Sequence, residues 1–398
     1  MKDLKRKYNI VCISAATWDA PLWTNRQHIM SRLSKKHRIL YVNPSIFLRT
    51  SIKRNIIQKL KNKKFIGVLD RVNKNLWVFT PPFILPFGYA FSFVQRINIS
   101  LNSMILGKIM KRLNFDNPIF WFYDPEGVGY LKRFTPRLVC YDCVSEYSTM
   151  PFYSSARRKK RLKRLESELI KISDIVFTTS DPLFEEKKKF NSNTYLVRNV
   201  GDFKHFNQIC NKNLRIPEDI INIPKPILGF VGAVDSYTLD FELINYISKE
   251  NPDWSIVIIG PKLHSCRKKA EGPKGENIYY LGRKEYGQLP SYIQNFSVCI
   301  IPYRLTSRTE RAFPLKLFEF LATGKPVVTT DLPAIQDLNG IIKIAKSNEE
   351  FCILVREALS DHDEERMKKR IEIAKRNTWE TRVKKLMHYI DLHLRLSQ

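Results

Sequence analysis

The chain alternates short, unbroken apolar runs with charged segments of helical spacing, and this alternation constrains its fold more than any other feature. Thirteen such runs stand out: residues 8–14, 38–44, 76–81, 118–125, 137–142, 174–180 and 194–199 in the first half, and 226–234, 255–261, 277–282, 296–303, 326–331 and 340–345 in the second. A strand with one wet face alternates apolar and polar residues. These runs do not alternate, so they predict parallel strands covered on both faces by helices. Segments such as RQHIMSRLSKK and DFELINYISKE supply the amphipathic helices between them. The arithmetic is that of βαβ units, played twice. A polar, proline-bearing stretch at 206–225 separates the two series. The expected organisation is an α/β domain over 1–205, a linker over 206–225, a second α/β domain over 226–375, and a terminal helix over 376–398 packing back toward the first domain. A chain of 398 residues is long enough for two such cores. Tandem doubly wound domains direct attention to the carboxyl ends of the strands and to a cleft between the domains.

Charge narrows the partners. With 67 Lys and Arg against 39 Asp and Glu, the formal net charge is +28, which calls for something anionic. Residues 51–67 hold six cations and no acid, and residues 154–170 place seven cations before Glu166. Either run could be only a solvated face. Both lie in the same half as the uncharged stretch 75–95, and together they read as a surface for anionic lipid headgroups. That stretch is long enough to cross a bilayer, but Pro81, Pro82, Pro86 and Gly88 favour a strand followed by an apolar loop. The cations cluster on discrete helices and no recognised DNA- or RNA-binding motif is visible, so nucleic acid is not an expected partner. Seven scattered cysteines suit a reducing compartment. Cys140 and Cys143 read as a strand end rather than a metal or redox pair. The N-terminus is basic and only briefly apolar, without a secretion signal. These features place the chain in the cytoplasm, peripheral to the inner face of a membrane.

The most informative stretch is RTERAFPLKLFEFLATGKPVVTTDLP, residues 308–333. Pro314 suits the first turn of a helix over Leu315–Ala322, Gly324 stops it, and Pro326 starts a strand. Lys316 opposes the helix dipole in the first turn, unless an anion sits there. It shares a helix face with Glu319. The spacing alone fits an exposed ion pair as well as a clamp, with the lysine on a phosphate and the carboxylate on a ribose diol.

The run PLKLFEFLATGKPVV resembles the sugar-nucleotide signature of the family 4, or group 1, glycosyltransferases. TWDAPLWTNRQHIMSRL, FWFYDPEG, CYDCVSEYS and FVGAVDS extend the likeness along the chain, closest to the bacterial branch that makes teichuronic-acid-type and other surface polysaccharides. The resemblance implies the GT-B fold, two facing Rossmann-like domains with an interdomain cleft. It implies transfer of a sugar from a nucleoside diphosphate, UDP above all, to a lipid-linked or glycan acceptor. It implies no cofactor and no metal, because lysine, arginine and helix dipoles neutralise the leaving diphosphate. Glu319 falls where the family binds the donor ribose, next to Leu315 and Lys316. The sequence departs from the family where an earlier glutamate is usual, since Arg311 stands there. It also lacks the Arg and Lys that commonly follow the first strand of the second domain. Lys316 must therefore carry more of the phosphate, helped by Arg308, Arg311 or Arg283.

The remaining candidates sit at predicted strand ends. Gly232 and Asp235 follow the first strand of the second domain, where a glycine lets backbone approach a diphosphate; an ordinary strand-to-helix turn would look the same. Arg283 could frame the base, and Tyr303 ends a strand nearby in sequence. In the first domain a carboxylate is wanted to take the acceptor's proton if the sugar inverts. Asp142 is the first expectation and Glu146 the second, although such acids also cap the helices that follow strands. Asp124, with Trp18, Arg26 and His28 near the first βα junction, is expected to touch the acceptor. Two other readings survive the sequence: a sugar-nucleotide 2-epimerase on the same fold, and a non-enzymatic basic protein binding nucleic acid or membrane.

Overall fold

The computed structural model describes residues 7–20, 22–44, 67–82, 91–149, 153, 155–210, 214–263 and 272–396. It divides into two compact units, one of residues 1–197 with 383–398, the other of residues 198–382. The basic run at 51–66 and residues 83–90 of the apolar stretch lie outside the described residues. Among the described residues no helix is long and apolar enough to cross a membrane.

The first unit is built on an eight-stranded sheet. Its strands are β1 (Asn9–Ile13), β2 (Arg38–Val42), β3 (Val68–Asn73), β4 (Leu76–Thr80), β5 (Ile119–Phe122), β6 (Leu138–Cys143), β7 (Ile175–Thr178) and β8 (Thr194–Leu196). Their order is β3-β4-β2-β1-β5-β6-β7-β8. All pairs are parallel except β3 with β4, an antiparallel edge hairpin. Every apolar run of this half became a strand; β3 was not anticipated, because its sequence VLDRVN carries charge and its last four residues are exposed.

One face of the sheet carries Val11, Leu40, Phe120, Tyr141 and Val176, packed with Leu106 and Met110 of helix Ser92–Arg112 and Leu169 of helix Ala156–Ile172. Helix Trp379–Leu396 returns to the other face. There Tyr8 donates from its hydroxyl to Asp391 Oδ1 at 2.6 Å, Tyr195 stacks on Tyr389 with centroids 4.0 Å apart, and Lys385 Nζ donates to the Leu196 carbonyl. Side chains alternate along a strand, so Cys140 and Cys143, three apart in β6, point to opposite faces. Both thiols are buried, and they form no common site.

The second unit holds six parallel strands: β9 (Ile227–Val231), β10 (Ser255–Ile259), β11 (Ile278–Gly282), β12 (Val298–Ile301), β13 (Val327–Thr330) and β14 (Lys343–Ala345). The order is β11-β10-β9-β12-β13-β14. Strand order reverses between β9 and β12, the place where doubly wound sheets open a crevice at their carboxyl edge. Residues 206–225, expected as a linker, belong to this unit: helices Phe203–Asn207 and Glu218–Ile221 fall here, and Phe206 and Ile220 sit in its core.

The turns after β9 and β10 approach each other closely. Gly232 donates its amide to the Ile259 carbonyl, and Gly260 has φ +148°. A Cβ on Gly260 would lie 1.7 Å from the Gly232 carbonyl oxygen. Backbone cannot yield as a side chain does, so Gly260→Ala should destabilise the protein by about 2–4 kcal/mol, from steric overlap plus an unfavourable φ. Urea unfolding monitored by circular dichroism would read this as a lower midpoint with unchanged slope.

Candidate functional site

In the second unit the short helix Lys316–Leu321 lies between β12 and β13. Leu315 precedes it as its N-cap residue, with φ −60° and ψ −31°, already helical. Pro314 before it presets that entry. Glu319 is only 4% exposed, and its Oε2 accepts from Lys316 Nζ at 2.7 Å. The pair is therefore not the exposed surface bridge that its spacing also allowed. The backbone at Gly201 lies directly on this helix: a Cβ there would come within 2.8 Å of the Glu319 amide nitrogen. Asn199 fixes the approach by donating to the Phe313 carbonyl at 2.8 Å.

Asp235 and Tyr303 converge on the same region. Asp235 is 5% exposed, and its Oδ1 accepts from the Tyr237 amide at 3.0 Å. Tyr303 follows β12 and bridges to Leu239. Burial pushes its phenol up to about 12, with Asp235 and Glu319 adding to the rise and Arg308 opposing it. Asp235, Tyr303, Arg308 and Glu319 are thus electrostatic neighbours at the carboxyl edge of one sheet. Gly232 belongs there through the β9 turn. Arg283, half exposed, directly follows the edge strand β11 and has Glu285 4.0 Å away.

The first unit gathers a second cluster. After β5, Asp124 caps the turn Pro125–Lys132 by accepting from the Glu126 amide at 2.9 Å. Burial, and next the charge of Glu126, push the Asp124 carboxyl up to about 7, against the pull of Arg26 and Arg161. Glu126 is raised too, chiefly by burial, with Arg161 at 3.9 Å opposing the rise. Arg26, 8% exposed, donates to the Tyr147 hydroxyl at 2.7 Å and lies 5.5 Å from the centre of the Tyr123 ring. Trp18 packs against Trp23 and Tyr41, and Trp23 against His28, at centroid distances of 5.2–5.5 Å. Trp23 is 44% exposed whereas His28 is buried and meets Arg32 at 3.3 Å, so the tryptophan, not the histidine, offers surface.

Two expectations need correction. Asp142 has no exposed surface. Its neighbour Phe177 in β7 meets Tyr389, so Asp142 lies on the sheet face that the terminal helix covers, close to Cys12 and Cys140. It does not stand at the open mouth of the sheet. Glu146 is also shut in, at 4% exposure: it accepts from the Ser148 hydroxyl at 2.6 Å and has Lys187 Nζ 3.9 Å away. Lys187, unmarked in the sequence reading, is the hub of this network. It lies 3.2 Å from Glu166 and 2.9 Å from Glu186, while Tyr141 donates to Glu166 at 2.7 Å. Sequence reasoning missed Tyr147, Glu166 and Lys187, since nothing local ties a lysine 41 residues from Glu146 to it. Only the buried face of helix Ala156–Ile172, with a glutamate at 166 among leucines, hinted at an inward charge.

Comparison with known proteins follows the same division. Residues 225–361 match the model of the family described as Glycosyl transferases group 1. TuaH of Bacillus subtilis (strain 168), assigned as a teichuronic acid biosynthesis glycosyltransferase, is 27% identical over 264 residues; the match covers 63% of this chain and 66% of TuaH, just under two thirds of its length. Among solved structures, sucrose-phosphate synthase from Thermosynechococcus elongatus superposes with TM-score 0.69 at 12% identity, covering 98% of this chain and all of that one. Anabaena HepE, solved in complex with UDP, gives TM-score 0.63 at 12% identity over 96% of this chain and 99% of its own. These likenesses identify the two Rossmann-like domains as the GT-B fold.

Removing Lys187 tests whether Glu146 and Glu166 are locked structural acids. Lys187→Met should cost about 3–5 kcal/mol, because two buried carboxylates lose their counter-charge. Burial already raises the Glu166 carboxyl, so the folded variant takes up protons that the unfolded chain does not. Its deficit should therefore shrink as pH falls from 8 to 5. Parallel thermal melts of both proteins across that range would show it.

Proposed function

We propose that this chain acts as a group 1 glycosyltransferase, moving a sugar from a UDP-sugar to a lipid-linked or growing glycan acceptor in surface polysaccharide synthesis; the family match over residues 225–361 and the likeness to TuaH support this reading. The observation that carries the donor assignment is the buried Glu319 carboxylate, held 2.7 Å from Lys316 at the carboxyl edge of a doubly wound sheet, within the matched region. A buried carboxylate, acceptor-only when ionised, suits the two hydroxyls of a ribose. A lysine on a flexible stem can leave it for a diphosphate, a stronger anionic partner. Gly232, Asp235, Tyr303 and Leu315 complete the donor site in this reading. Arg308 and Arg311 share the phosphate charge, so that no metal is required. HepE, a structural neighbour, is solved with UDP, which supports a uridine nucleotide.

The first unit takes the acceptor. Trp18 and Trp23 form an aromatic rim suited to a sugar ring, and the buried Arg26 lies near Asp124. Asp124 is better placed than Asp142 or Glu146 to receive the proton of the incoming hydroxyl, since burial pushes its carboxyl up to about 7 while the residue, unlike those two, keeps some solvent exposure. The acceptor oxygen bonds to the anomeric carbon as that carbon's bond to the diphosphate breaks. The electron pair leaves with the diphosphate and the proton passes to Asp124. The seven cations of residues 154–170 favour a peripheral site on the inner face of an anionic membrane, where a lipid-borne acceptor resides.

Glu319→Gln and Lys316→Ala should each weaken UDP binding by about 10- to 100-fold, the worth of one charged hydrogen bond, in isothermal titration of protein whose fold is verified by circular dichroism. Undiminished binding by both variants would remove the donor assignment. With membrane extract as acceptor, UDP release should fall about tenfold per pH unit below 7 and level off above it, following deprotonation of Asp124. Asp124→Asn should lose about 10²–10⁴ in rate together with that inflection.

A further inference from the structure

Helix Ser92–Arg112 is built inside out over its first half. Gln95, Asn98, Asn102 and Ser103 are buried, whereas Phe93, Ile97, Leu101 and Met104 are 57%, 42%, 41% and 42% exposed. Their spacings of four, four and three residues align them in one stripe. Phe91, 47% exposed just before the helix, extends it, with its ring 6.0 Å from that of Phe93. Single exposed apolar residues are ordinary, but a continuous stripe on a folded helix marks a surface meant to be covered.

Beside the stripe lies a pocket of about 510 Å3, walled by helix Ser92–Arg112, the turn Pro125–Lys132 and helix Ala156–Ile172. Five cations line it: Arg96, Lys132, Arg133, Arg161 and Arg164. Two carboxylates face them, Glu126 and Glu168, over a floor of Ile99, Val128 and Leu165. Gln95 also lines it, 8% exposed, and its carboxamide oxygen has no hydrogen-bond partner among the described residues. Four guanidinium groups around one cavity suit the oxygens of a phosphate or diphosphate, which they can grip in pairs. The apolar stripe at its edge suits hydrocarbon. A second copy of this strongly cationic chain is the wrong complement for such a surface, because like charges would meet.

We propose that this pocket receives the phosphate or diphosphate head of an amphipathic lipid substrate, whose tail lies along the Phe93–Ile97–Leu101–Met104 stripe. The inference rests on the acceptor being lipid-borne, as proposed above, and gives that acceptor a place. Glu126, on the pocket wall, is hydrogen-bonded through its amide to Asp124, so the head group is held next to the group that takes the acceptor's proton.

Isothermal titration of the full chain with farnesyl diphosphate, farnesol, inorganic pyrophosphate and UDP tests the assignment. Farnesyl diphosphate should bind at least about tenfold more tightly than farnesol or pyrophosphate. Arg96→Glu with Arg164→Glu, both at exposed positions, should weaken it by about tenfold or more. Leu101→Gln with Met104→Gln should bring it down to the affinity of pyrophosphate. Both double variants should bind UDP as the parent does. The pocket assignment falls if pyrophosphate alone binds as well as farnesyl diphosphate, or if neither double variant weakens it. It falls equally if vesicles of anionic phospholipid are bound with no sensitivity to Arg96→Glu and Arg164→Glu. Loss of UDP binding in the parent protein would instead overturn the glycosyltransferase donor reading, independently of the lipid result.

Discussion

Parallel strands cannot be joined by a tight turn. Each must end at one edge of the sheet, cross a face as a helix, and begin again at the other edge. Every carboxyl end is thereby freed to carry a loop of whatever composition the chemistry wants, while the strands between are committed to packing. Both units obey this constraint: the six strands of β9–β14 are parallel throughout, and in the first sheet only the β3 edge departs from it. Asp235, Tyr303 and the helix bearing Lys316 and Glu319 all hang from strand ends of one edge, and Asp124 follows a strand end in the other unit.

Within those loops, the chemistry depends on how each buried carboxylate is answered. Glu146 and Glu166 share Lys187 and neighbouring hydroxyls, so their charges are spent on holding helix Ala156–Ile172 against the sheet. Glu319 is answered by Lys316 of its own short helix, and that cation is partly accessible. Asp124 has neighbours of both signs, and burial dominates, leaving its proton loosely held near neutral pH. The same side-chain type thus serves as a structural anchor, a candidate ligand for hydroxyls and a candidate proton acceptor. Environment, rather than residue identity, makes the difference.

Much of the architecture was legible in the sequence, because continuous apolar runs admit few arrangements: all thirteen became strands, in two separate sheets. The hairpin strand β3 was not legible, since an exposed edge strand tolerates Asp70 and Arg71 and leaves no apolar trace. The Lys316–Glu319 pair could be located from its signature, but not the close approach of the distant Gly201 backbone to the helix that carries it. Asp142 and Glu146 were misread for a related reason. Position at a strand end is a local property, whereas the face a side chain takes, and whether a distant helix covers it, is not. The stripe on helix Ser92–Arg112 merged, in sequence, with the apolar residues before it, and only the fold separates its outward Phe93 and Ile97 from its inward Gln95 and Asn98.

Helix Trp379–Leu396 has a consequence for how the protein comes into being. It completes the first unit, yet in sequence it follows the whole of the second. As the polypeptide leaves the ribosome, β7 and β8 must wait, with Phe177 and Tyr195 uncovered, until nearly two hundred further residues have been translated. Of the two sheets, the one synthesised earlier is therefore sealed later, and a product terminated before this helix would carry a greasy, unfinished face.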